Sequence, residues 1–162
     1  RERPDEAFLA AGAPWFFTLF GRDSLISARL LVGLHPDLAR TTLRTLARRQ
    51  GVTVDVLSAE QPGKILHEVR RAPLTLRETH FGSPETVLAI PAVYFGTIDA
   101  TLLWVMLLGD LFDAGQDIAE FSAALDAALP GNRAESGKRQ QLVDLTEPFC
   151  FTAAENMLTP SH

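Results

Sequence analysis

The stretch Ala13-Pro14-Trp15-Phe16-Phe17-Thr18-Leu19-Phe20-Gly21-Arg22-Asp23-Ser24-Leu25-Ile26 decides how the rest of the chain is read. Four aromatic side chains, Trp15, Phe16, Phe17 and Phe20, lead into Gly21, and an arginine and an aspartate then stand together where helical spacing begins. Two readings are open. Asp is a favoured N-cap residue, so Asp23 can cap a helix starting near Ser24 and leave Arg22 as a solvated neighbour. The other reading is a polar ligand, to which Arg22 donates through its planar fork and from which Asp23 accepts two hydroxyl bonds. Sugars fit that second reading, because they offer apolar C–H faces to aromatic rings and hydroxyls to charged groups.

Outward from this stretch the chain reads as helices separated by turns. A first helix is expected from about Ser24 to Leu34, with Leu25, Ala28, Leu31 and Val32 on one stripe and Ile26 and Leu30 on the next. So broad an apolar surface predicts burial on more than one side. His35-Pro36 ends it, since the residue before proline is driven out of the helical region. Pro36 then suits the first turn of a second helix, along which Leu38, Ala39, Thr42, Leu43, Leu46 and Ala47 follow helical spacing. Arg48 and Arg49 suit its last turn and Gly51 its stop. Arg40, Arg44 and Thr45 make its other face, so this helix is expected to be amphipathic and external.

Residues 52–63 read as a loop, and Lys64 to Arg71 as a short helix or extended piece with Ile65, Leu66 and Val69 apolar. The plain reading makes His67 a surface or core histidine and Glu68 a solvated charge near Lys64. Residues 72–97, punctuated by Pro73, Pro84 and Pro91, read as one long loop. A third helix follows from about Thr97 to Phe112. Its run Leu102 to Leu108 leaves no polar face and predicts burial all round, with Asp99 in its first turn, where a carboxylate suits the dipole. An outer helix from Asp117 to Leu129 carries the stripe Ile118, Phe121, Leu125 and Leu129. Beyond Pro130 the pattern fades, and 131–162 reads as a divergent, poorly ordered tail.

Composition narrows the class. The 162 residues are 46% hydrophobic and 22% charged, which suits one globular domain. A net charge of −5 argues against nucleic acid or an anionic membrane as partner. The apolar run before Gly109 and Asp110 is far short of the roughly 20 residues that span a bilayer. A single cysteine, Cys150, excludes an internal disulfide framework and suits a reducing, cytoplasmic setting. The histidines, His35, His67, His80 and His162, share no metal-ligand spacing with it, so neither metal nor cofactor is expected. No apolar core of a signal peptide follows Arg1, and a start at arginine suggests a fragment.

Four ordered segments carry a resemblance. Pro14-Trp15-Phe16 with Gly21-Arg22-Asp23-Ser24, then Thr42 to Ala47, Glu60 to Glu68, and Tyr94 to Thr101 resemble the amylo-α-1,6-glucosidase type of glycogen debranching enzyme. They are similar also to glucoamylases and to mannosylglycerate-hydrolase-like glycosidases, over residues 12–112. The resemblance implies an all-α fold, part of an (α/α)6 toroid, with about two helical hairpins and long loops lying within residues 1–130. It implies an inverting glycoside hydrolase acting on an α-glucan or oligosaccharide, with Arg22 and Asp23 as ligands of the sugar at the cleavage point. His67, Glu68 and Asp99 would shape the cleft, Trp15 and Phe16 would face the sugar, and the loop over 72–97 would border it. The general acid and base of such enzymes lie in later motifs that are not found here. Glu120 reads as a solvated helix charge, so no catalytic residue is assigned. Two alternatives stay open: an inactive carbohydrate-binding relative and, against the grouping of Arg22, Asp23 and Asp99 at helix mouths, a helical scaffold for protein binding.

Overall fold

The computed structural model describes residues 6–78 and 86–129. Helices dominate: α1 (Gly21–Leu31), α2 (Pro36–Ala47), α3 (Ala100–Asp113) and α4 (Ser122–Ala128), the last entered through a 3-10 turn at Ala119–Phe121. Short strands interrupt them: β1 (Glu68–Val69), β2 (Leu74–Glu78), β3 (Thr86–Ile90) and β4 (Val93–Tyr94). β2 and β3 form an antiparallel hairpin with Leu74 opposite Ile90, and β1 pairs with β4, Glu68 opposite Tyr94. The expected unbroken loop over 72–97 is therefore corrected: its prolines flank the strands, and Thr86-Val87-Leu88-Ala89-Ile90 carries the β-branched and apolar content that strands favour. Of the two forms open for Lys64 to Arg71 the extended one is found, and the described residues are mostly helical with a few short strands, broadly compatible with the helical class expected.

α1 and α2 form a hairpin, and α3 packs on both. The direction of α3 follows from its ion pairs. Arg22, at the start of α1, meets Asp99 just ahead of α3, while Arg29, near the end of α1, meets Asp110 near the end of α3. The two helices therefore run parallel, with their N-termini at one end. The core between them is centred on Trp104, which is fully buried and donates its indole N–H to the Leu43 carbonyl at 3.1 Å. Leu25, Leu43, Leu46, Leu107 and Leu108 close around it, and the ring edge of Phe121 brings in the last helical segment. Phe121 and Leu125 of the expected apolar stripe are buried, with Ile118 and Leu129 packed beside them.

Four expectations about helix faces change, the first being burial of α1 on more than one side, since its second stripe, Ile26 and Leu30, is exposed. α3 is not buried all round, since Leu102 is 53% exposed beside a partly buried Leu103. Thr45 of α2 is buried instead of external. Arg40 and Arg44 are not simply solvated, because both bind Glu120, which is thereby a partly buried clamp rather than a solvated helix charge. Arg48 and Arg49 pair with Glu6. Among the described residues no helix is long and apolar enough to cross a membrane. The tail expected over 131–162 lies outside the described residues, as do Cys150, His80 and His162.

Candidate functional site

The common N-terminal end of α1 and α3 is where three separate segments meet. The Gly21 amide donates to the His67 carbonyl at 2.8 Å, Phe20 bridges Glu68, and the His67 amide donates to the Tyr94 carbonyl. This closeness requires glycine. A Cβ on Gly21 would stand 2.1 Å from the Leu66 carbonyl oxygen, far inside any tolerable contact. The glycine of the Gly-Arg-Asp sequence thus lets the strand from Leu66 to Glu68 lie against the mouth of α1.

Phe20, not Asp23, occupies the N-cap position, so α1 starts three residues before Ser24 and takes Arg22 and Asp23 into its first turn. The capping reading of Asp23 is thereby corrected, and its side chain is exposed. Arg22 Nη1 donates to Asp99 Oδ2 at 3.2 Å, joining residues 77 apart in sequence. Asp99 sits at the N-cap position of α3, one residue ahead of the expected first turn, and makes no capping bond through its side chain. Its other oxygen accepts from the Thr97 hydroxyl. That hydrogen bond, with Arg22 behind it, holds the Asp99 carboxyl below its ordinary pKa despite partial burial. The side chains of Arg22 and Asp99 are 48% and 38% exposed, a setting in which an ion pair adds only about 0–1 kcal/mol. The pair presents a donor fork and an ionised acceptor to solvent more than it stabilises the fold.

Glu68 is buried, contrary to its expected solvation, and its Oε2 lies 2.7 Å from Arg70 Nη2. Arg70 also lies over the Tyr94 ring, 5.8 Å from its centroid. A buried carboxylate beside a guanidinium is the paired arrangement that burial of charge demands. His67 stands edge-on between the Phe20 and Tyr94 rings. Its Nδ1 and Arg70 Nη1 are buried without a hydrogen-bond partner among the described residues.

Trp15 and Phe16 lie on a second wall. They line a groove of about 210 Å³ with Thr18, Arg70, Arg71, Ala72, Pro73 and Leu74. The turn that carries them is tied down at both ends. Ala11 bridges Thr18, the Phe16 amide donates to the Gly12 carbonyl, and the Thr18 hydroxyl donates to the Val69 carbonyl. Phe17 adopts φ of +43°, a conformation that costs a bulky residue about 1–3 kcal/mol and persists only where its surroundings enforce it. Trp15 remains 87% exposed and Phe16 55%.

Of the seven residues expected at the site, Arg22 and Asp99 are in direct contact, and Asp23 is exposed beside them in the first turn of α1. His67 and Glu68 follow through the backbone at Gly21. Trp15 and Phe16 join instead with Arg70 and Arg71, two residues that sequence reasoning passed over. The spacing of Glu68 and Arg70 on one strand face could have revealed that pairing. A larger cleft of about 470 Å³ lies between α2 and residues 120–124, lined partly by Arg44, Arg48 and Glu120. Among the described residues no group of three or more His, Cys, Asp or Glu side chains is placed to hold a metal ion. Compared with protein families and with curated proteins, the sequence finds no match in either.

Proposed function

We propose that this chain is part of a glycoside hydrolase acting on α-glucans, of the glycogen-debranching type, and forms a segment of an (α/α)6 toroid. In this reading the shared end of α1 and α3 is one wall of its sugar-binding cleft. The observation that carries the proposal is the Arg22–Asp99 contact, which brings two of the four motif segments together at the mouths of parallel helices. Arg22 donates to sugar oxygens, and Asp99 and Asp23 accept from hydroxyls, each bond being charge-assisted. The setting is a reducing compartment, the cytoplasm.

Inverting hydrolysis needs an acid and a base about 6.5–9.5 Å apart. Asp99 is a poor acid, because the Thr97 hydroxyl and Arg22 favour its ionised form. Glu68 is engaged with Arg70 and buried. The proton-transferring pair is therefore assigned to other segments of the complete enzyme. These same engagements favour a second reading, a relative that binds carbohydrate without cutting it.

The test is binding and hydrolysis of maltooligosaccharides and branched dextrins by the purified chain, with Arg22→Ala and Asp99→Asn alongside. Binding without turnover is expected, weakened at least about tenfold in each variant, as loss of a hydrogen bond to a charged group implies. Unchanged affinity in both variants would remove the cleft assignment. Turnover by the unaltered chain, lost in the variants, would place the acid and base within these residues.

A further inference from the structure

We propose that the groove beside the aromatic turn is a subsite for an acidic sugar, a single pyranose ring carrying one carboxylate. The inference goes beyond the α-glucan reading above, since α-glucans carry no carboxylate; it rests on that reading only for recognition of a sugar ring and concerns a different wall from Arg22 and Asp99. Its first support is size. At about 210 Å³ the groove is smaller than the roughly 300–1,000 Å³ of pockets for drug-sized ligands and has room for one sugar ring.

The second support is the lining. Trp15 offers an almost fully exposed indole on a turn fixed to the Val69 strand, which makes a flat apolar platform. Arg70 and Arg71 line the same groove in a chain whose net charge is −5, so the positive character is local and set against the field of the whole molecule. Among the described residues Arg70 is paired with Glu68, whereas Arg71 is exposed and has no charged partner. That exposed guanidinium can receive one carboxylate through two parallel bonds.

A ring whose carboxylate is held by Arg71 and whose face stacks on Trp15 uses two exposed side chains of the groove. A neutral glucosyl ring would use the platform and leave Arg71 idle.

The chain's two tryptophans make the test direct, because Trp104 is fully buried and Trp15 is 87% exposed. Ligand in the groove changes the emission of Trp15 alone. Titrations of the full chain with glucuronate, glucose, glucose 6-phosphate and inorganic phosphate are read by tryptophan fluorescence and repeated in Arg71→Gln, Trp15→Phe and Arg22→Ala. Both groove side chains are exposed, so circular dichroism of those variants is expected to match the unaltered chain.

Glucuronate is expected to saturate the signal, glucose to give none at the same concentration, and added salt to weaken binding. Arg71→Gln is expected to lower glucuronate affinity at least tenfold, Trp15→Phe to remove the signal, and Arg22→Ala to leave it unchanged. Equal responses to glucose and glucuronate, or an undiminished response in Arg71→Gln, would overturn the acidic-sugar assignment. Inorganic phosphate binding as well as glucuronate would reduce the groove to a plain anion site, and tighter binding of glucose 6-phosphate would overturn the single-carboxylate match. Dependence of glucuronate binding on Arg22 would overturn the separate subsite. Loss of maltooligosaccharide binding in Arg22→Ala, measured independently, keeps failure here distinct from failure of the cleft.

Discussion

On the α2 side of the helical core, Arg40 and Arg44 close on Glu120, Arg48 and Arg49 close on Glu6, and Phe121 and Leu125 cover Trp104. On the α1–α3 side, Ile26, Leu30 and Leu102 face solvent beside the Arg22–Asp99 and Arg29–Asp110 pairs, and Ile98 is 91% exposed just ahead of α3. The first surface is finished: charges are matched and large apolar groups covered. The second carries apolar side chains at helical spacing with only a seam of ion pairs between the helices. The difference teaches that amphipathicity in α2 is complete within this structure, whereas α1 and α3 have more apolar surface than their mutual packing uses. That excess is apolar surface left open on the α1–α3 side among the described residues.

The comparison breaks most severely at Trp104→Ala. Removing a fully buried indole and leaving the Leu43 carbonyl without its donor is expected to cost about 3–5 kcal/mol. Denaturant unfolding followed by far-UV circular dichroism should show the cooperative transition lost or moved to much lower denaturant. A retained midpoint would mean that the finished side does not depend on its central side chain. Next in size is Gly21→Ala, which forces Leu66 away from α1 and is expected to cost on the order of 1–3 kcal/mol. Amide exchange should speed up at Gly21 and His67 before it does at Leu43, and uniform change across the core would contradict a local wedge.

Glu120→Gln sharpens the contrast at a smaller scale. Burial alone would raise the Glu120 carboxyl's pKa, but Arg40 and Arg44 outweigh it and hold it below the ordinary 4.5. Because the folded value lies below the unfolded one, the stabilisation is complete above about pH 4.5 and is lost as pH falls through the folded value. A third of the side chain is exposed, so solvent screening limits the effect to roughly 0.2–1 kcal/mol. The substitution should lower stability at pH 7 and leave it unchanged well below that range, measured by urea midpoints against pH. Equal losses at both pH values would point to packing instead of charge. Smallest of all, Leu30→Gln and Leu102→Gln on the open face should each change stability by less than about 0.5 kcal/mol. A larger loss, seen in the same urea titrations, would show that something covers that face in solution.

Regular helical spacing was the part of the fold most legible in the sequence. α2 begins at Pro36 as its fixed φ favours, and the stripe through Phe121 and Leu125 is buried as its spacing implies. Tertiary neighbours hid the rest. Thr45 looked external because hydroxyls usually are, yet helix packing covers it. The β2–β3 hairpin was obscured by the prolines around it, although Leu74-Thr75-Leu76 and Thr86-Val87-Leu88 have strand-favouring composition. Cleft residues were found by motif, not by physics. Nothing in the spacing of Arg22 and Asp99 announces a contact across 77 positions, whereas the Glu68–Arg70 pair, two residues apart on an extended strand, was within reach of period-two reasoning. The start of α1 was misplaced because Asp23 is a good capping residue; the chain instead enters through Phe20, with Gly21 positioned by its contact with Leu66.

The parallel pairing of α1 with α3 has a consequence for the chain as it is made. α1 can settle on α2 as soon as both have emerged, since a short turn joins them. Arg22 must wait for Asp99, 77 residues later, and at about 5–20 residues per second that delay is roughly 4–15 s. Through that interval the α1–α2 hairpin exists without the helix that covers its core, exposing Leu25 and Leu43 to whatever is nearby. Synthesis of α3 is thus the event that both shields the nascent hairpin and assembles the mouth of the cleft.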